Sequence, residues 1–158
     1  MNKDEISLEE FERLPSETLH GECVRKLREI GEKLGFDTAG VKTHLGVLDC
    51  VWRLKEDAHL PKVEKNLPIV AFEVICSEEQ KAIRGSTLNM IAAKPSLAVF
   101  VLVKKGILQK RFPDTTPEQW LKRVENFVEK IRPSFSGILR TAIWNEKDVD
   151  ELHSMICK

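Results

Sequence analysis

The chain has 158 residues, 42% of them hydrophobic and 32% charged, a balance that excludes a disordered chain and fits a single domain, 1–158, with a real core. Its 25 lysines and arginines equal its 25 aspartates and glutamates, so net charge does not point to a polyanionic partner, although a neutral total can hide a basic face. No apolar stretch approaches the roughly 20 residues that span a bilayer, and no membrane partner is expected.

The opening stretch, MNKDEISLEEFERL, is acidic and amphipathic and does not have the form of a secretory signal. Ser7 and Glu10 form a capping-box pattern, with Leu8, Phe11 and Leu14 at helical spacing behind it. Pro15 stops that short helix and Ser16 caps a second one. Its stripe is Leu19, Cys23, Val24, Leu27, Ile30 and Leu34, and Gly35 is its C-terminal stop.

Two strands are predicted next, over 37–46 (DTAGVKTHLG) and 47–54 (VLDCVWRL). A polar stretch separates them from a third over 67–76 (LPIVAFEVIC). Ser77 and Gln80 open a helix with Ile83, Thr87, Met90 and Ile91 on one face, ended by Pro95. The run SLAVFVLV, 96–103, is apolar throughout, as a strand covered on both faces should be. Thr116 and Pro117 start an amphipathic helix to Ile131, a strand follows over 137–144, and Asn145 caps a last helix carrying Val149, Leu152 and Ile156.

This order predicts an α/β fold: a mixed sheet with helices on both faces. The three early strands can form a meander, and 67–103 can form a parallel crossover. The four cysteines, Cys23, Cys50, Cys76 and Cys157, make no CxxC pair or metal-finger spacing. Cys50 and Cys76, inside strand-like runs, read as small apolar residues, and a reducing cytoplasm is the expected compartment.

Two acids stand out within apolar strands. Asp49 lies in VLDCVW and Glu73 in IVAFEVIC. Period-two alternation puts Asp49 with Val47 and Val51, and Glu73 with Ala71 and Ile75. If these strands are neighbours in suitable register, the two carboxylates converge and repel. A divalent cation resolves that conflict, and hard oxygen ligands suit Mg²⁺ or Mn²⁺. The competing reading is an ordinary buried ion pair with Arg53, Arg84 or Lys81.

The helix, then LDCVW, then FEV followed by a polar segment and a helix, resembles the PD-(D/E)xK restriction-endonuclease-like superfamily over about residues 17–135, with IRPSF (131–135) matching a later stretch of some members. The resemblance implies a restriction-endonuclease-like mixed sheet with an α-β-β-β-α-β core, here extended by a C-terminal helix, strand and helix. It implies a Mg²⁺-dependent (or Mn²⁺-dependent) DNA endonuclease in which Asp49 and Glu73 are catalytic and hold the metal. The pattern asks for Lys, Glu or Gln two residues after the second acid, and Ile75 stands there. Its backbone carbonyl can still ligate a metal, and Lys81, in the first turn of the next helix, is the nearest replacement for the lost side chain. The superfamily often adds an acid from the first helix. Glu22 is the candidate, although it falls on the order of 120° from the centre of the apolar stripe.

For DNA contact the sequence offers the basic run Lys104, Lys105, Lys110 and Arg111, together with Arg84. His44 and His59 flank the first acid in sequence, and Trp52 and Trp144 are candidate base-stacking residues. The alternative function is a catalytically inactive nuclease-fold protein that binds nucleic acid or a protein partner. A small chain of this kind also suits a homodimer or a partner subunit.

Overall fold

The computed structural model describes residues 17–39, 43, 45–55, 67–75, 80–103 and 117–158. Its elements in chain order are α1 (Glu17–Lys33), β1 (Cys50–Arg53), β2 (Pro68–Ile75), α2 (Gln80–Ala93), β3 (Leu97–Leu102), α3 (Pro117–Ile131), a 3-10 turn (Arg132–Ser134), β4 (Thr141–Asn145) and α4 (Glu146–Ile156). The short helix expected after Ser7 lies outside the described residues.

Four strands make one mixed sheet in the order β1-β2-β3-β4. β1 runs antiparallel to β2, while β2–β3 and β3–β4 are parallel. Among the described residues, α2 lies between β2 and β3, and α3 lies between β3 and β4. Two successive crossovers of the same hand, stepping the same way along a sheet, put both helices on one face. The core divides accordingly. Ala71, Ile75, Ala98, Phe100 and Leu102 pack against Ile83 and Met90 of α2 and Val124, Phe127 and Val128 of α3. Phe72, Val74, Val99 and Val101 pack on the other face against Cys23, Leu27 and Ile30 of α1 and Val149 of α4. Strict alternation along β2 and β3 therefore feeds two cores, which is why both strands read as continuous apolar runs.

α1 ends where Gly35 adopts φ +91. The Gly35 amide bonds the Glu32 carbonyl (3.1 Å) and the Phe36 amide the Gly31 carbonyl (2.9 Å), the paired closure of a Schellman motif. α4 starts with a reciprocal capping box between Asn145 and Asp148.

Two strand expectations are corrected. Among the described residues, 37–46 forms no strand: Asp37 makes an isolated bridge to Arg53, and Thr43 and Gly46 close a turn. Among the described residues the expected meander is present as the antiparallel pair β1–β2, with Asp37 bridged to Arg53 beside it. Residues 137–140 also lie outside the last strand, which starts at Thr141. Phe135 and Leu139 instead plug the core through the 3-10 segment and turn. The Arg132 guanidinium pins the strand start by donating to the Thr141 hydroxyl (2.7 Å) and carbonyl (3.1 Å).

Candidate metal centre at the end of the sheet

The antiparallel ladder ends with Cys50 opposite Phe72. One step further, Asp49 comes opposite Glu73, so the register required for convergence is present. The ladder ends here in an interlock. The Asp49 carboxylate accepts the Val74 amide through Oδ2 at 2.7 Å. The Glu73 carboxylate accepts the Asp49 amide through Oε1 at 3.3 Å. Each acid is held by the backbone of the other's strand, and Glu73 is only 7% exposed. Among the described residues, no buried side-chain nitrogen or oxygen lacks a hydrogen-bond partner, so the interlock satisfies what it buries.

A third group reaches the pair from α1. His20 Nε2 lies 3.0 Å from Asp49 Oδ1. Both oxygens of Asp49 are therefore engaged, one by β2 and one by the first helix. Sequence reasoning missed His20, although the signal was available. His20 continues the spacing of Cys23, Leu27, Ile30 and Leu34 by one turn, as a polar residue on the apolar stripe.

The same end of the sheet carries a half-open cleft of about 130 Å³, where Glu22 and Lys26 of α1 face Val103, Glu146 and Asp150. Glu22 is thus near the site but faces cations, at 3.7 Å from Arg25 and 3.9 Å from Lys26. Lys26 in turn bonds Asp150 at 2.6 Å. Cys23, at the wall of the cleft, has its thiol pushed up to about 12 by burial and then by the neighbouring acids Glu146 and Asp150. It is no nucleophile at neutral pH.

The Ile75 side chain is 1% exposed within the core, and its carbonyl accepts the Val103 amide at 2.9 Å. As a metal ligand, that carbonyl would have to share this bond. The Lys81 backbone lies in the first turn of α2, and its side chain is outside the described set. Lys104, Lys105, Lys110, Arg111, His44, His59 and Cys76 also lie outside the described residues. Arg84 is exposed, with its guanidinium 5.4 Å over the Phe127 ring. Arg53 sits at the opposite end of β1, bridged through its backbone to Asp37.

Trp52 is a core residue. It is 4% exposed, tilted against Phe72, stacked on Phe36, and donates from Nε1 to the Leu27 carbonyl at 2.9 Å. The half-buried Trp144 packs against Phe72. Neither ring is presented as an open stacking platform.

Among the described residues, no group of three or more His, Cys, Asp or Glu side chains is arranged to hold a metal ion. The donor set that remains is the carboxylate pair. It fits the mode in which Mg²⁺ takes one or two carboxylates and fills its shell with water and phosphate oxygens. No helix among the described residues is long and apolar enough to cross a membrane. No protein-family model matches the chain, and neither a curated protein nor a solved structure matches it.

Proposed function

We propose that the chain is a nuclease-like domain of the restriction-endonuclease-like kind, with Asp49 and Glu73 holding Mg²⁺ or Mn²⁺ against a DNA phosphate. The observation that carries this reading is the interlock itself: two carboxylates brought opposite each other at a strand end, each fixed by the other's backbone. Unpaired, such neighbours repel. A divalent ion held by Asp49 and Glu73 would supply Lewis-acid polarisation of a phosphate and a bound water of lowered pKa.

The chain's own contribution is rigidity. The Val74 amide fixes one Asp49 oxygen and the Asp49 amide fixes one Glu73 oxygen, so the two carboxylates are held in place by the backbone. Lys81, in the turn of helix that follows β2, is the candidate for the basic side chain that Ile75 does not provide. The basic run Lys104, Lys105, Lys110 and Arg111 begins directly after Val103. Val103 lines the cleft at this same sheet end, which supports a role for the run in phosphate contact.

One observation favours the second reading, a catalytically inactive relative that binds nucleic acid or a protein. The position that should activate water is an isoleucine packed into the core, and its carbonyl is already engaged.

A cleavage assay tests both readings. Plasmid, single-stranded and branched DNA are incubated with Mg²⁺ or Mn²⁺, and nicking that disappears in Asp49→Ala and Glu73→Ala is the expected result. Cleavage that survives Asp49→Ala sinks the metal-site reading. Metal-independent DNA binding without cleavage selects the inactive relative.

A further inference from the structure

We propose that His20 is a positioning residue of the acid pair, and that the first turns of α1 belong to the site through it. The inference rests on the metal-site reading above. Asp49 is the less buried acid of the pair, its side chain 21% exposed where Glu73 is 7% exposed, and a carboxylate at a strand end rotates unless both oxygens are held. The Val74 amide holds Oδ2 from the sheet. His20 Nε2 holds Oδ1 from the helix. With both fixed, the carboxylate plane is set, and so is the direction of the lone pairs left for a cation.

The helix that carries His20 is itself located by contacts that do not involve the acids. The Trp52 indole donates to the Leu27 carbonyl. Lys26 bonds Asp150 and His153 bonds Glu29, both at 2.6 Å, tying α1 to α4. Leu27 and Ile30 are fully buried in the core. The imidazole is therefore placed by the packing of α1 on the sheet. Hydrogen-bond partners of ligating carboxylates commonly change metal affinity 10- to 100-fold when removed, although they touch no metal.

The test compares the wild-type chain with His20→Ala, His20→Gln and Asp49→Asn. Mn²⁺ binding is measured by electron paramagnetic resonance, and the Val74 amide is followed by ¹H–¹⁵N NMR with and without Mn²⁺'s diamagnetic stand-in Mg²⁺. Removing the ring in His20→Ala is expected to weaken Mn²⁺ binding by about 10- to 100-fold and to shift the metal-free Val74 amide. His20→Gln, whose side-chain amide can donate to the same oxygen, should recover most of both.

If His20→Ala binds Mn²⁺ like the wild type while Asp49→Asn does not, the role assigned to His20 is overturned and the acid-pair reading stands. If the wild type binds no Mn²⁺, the acid-pair reading fails, and the metal-free Val74 amide decides the remainder. A shift in His20→Ala that His20→Gln reverses upholds the positioning of Asp49, and an unmoved amide overturns it.

Discussion

Replacing Asp49 by Ala or by Asn separates the two things its carboxylate does. Ala removes the acceptor of the Val74 amide, and Val74 is fully buried. An orphaned buried N–H costs about 1–3 kcal/mol. The half-exposed contact to His20 adds about 0–1 kcal/mol. Removing a negative charge beside Glu73 returns about 1 kcal/mol where water screens the pair through the exposed side of Asp49. The acceptor loss dominates, and Asp49→Ala should lose about 2 kcal/mol.

Asn keeps an oxygen for the Val74 amide and relieves the same repulsion, so Asp49→Asn should stay within about 1 kcal/mol of the wild type. For a chain of this size each kcal/mol moves Tm by about 2–4 °C, which places the Ala variant about 4–8 °C lower. Urea unfolding followed by circular dichroism gives the free energies, and thermal scans give the shifts. A divalent ion at ten times its Kd stabilises the folded state by about 1.4 kcal/mol. Mn²⁺ should therefore raise the Tm of the wild type by about 3–6 °C and leave Asp49→Asn unmoved. An Ala variant as stable as the wild type refutes the Val74 cap, and an Asn variant that keeps the full Mn²⁺ shift refutes the metal centre.

Gly31→Ala should destabilise the fold even though alanine gains about 1 kcal/mol of helix propensity. A Cβ at Gly31 would lie 2.5 Å from Trp52 Nε1 and 2.9 Å from Thr38 Cγ2. The overpacking costs about 1–3 kcal/mol and weakens the Trp52 bond to Leu27, so a raised urea midpoint contradicts the packing argument. Burial pushes the Cys50 thiol up to about 12, as it does Cys23. At pH 8 only about one thiol in ten thousand is ionised at either residue. Iodoacetamide should label both only as fast as the chain opens, and rapid native-state labelling at either would count against their burial. Glu29 is held below its ordinary value of 4.5 by hydrogen bonds from His153 and then Arg25. A depressed carboxylate stabilises the fold above its unfolded value and loses that contribution as pH falls through the folded one. Glu29→Gln should thus be less stable than the wild type at neutral pH, and the gap should close below about pH 4. An equal gap in urea midpoints at pH 7 and pH 3 rules the linkage out.

Much of the architecture was legible because its signals are local. The stripe Cys23, Leu27 and Ile30 faces the core as spaced, Pro117 opens its helix, Asn145 caps the last one, and β3 is buried on both faces. The segment 37–46 misled because alternation there looks like a strand, while a strand also needs a partner along its length. Only Asp37 finds one among the described residues, at Arg53. Residues 137–140 misled for a related reason. Their apolar members serve a turn, with Leu139 3% exposed and Ile138 71% exposed.

The same division runs through the site. Period-two alternation named Asp49 and Glu73 as acids embedded in apolar strands, and that followed from the sequence by itself. Whether they meet depends on the register of β1 against β2, which a one-residue slip would undo. Which helical group reaches them depends on the rotation of α1 over the sheet, and packing selected His20 while Glu22 turned to Arg25 and Lys26. Periodicity is a property of neighbours along the chain. Register and helix docking are properties of residues distant in sequence, and only the tertiary structure decides them.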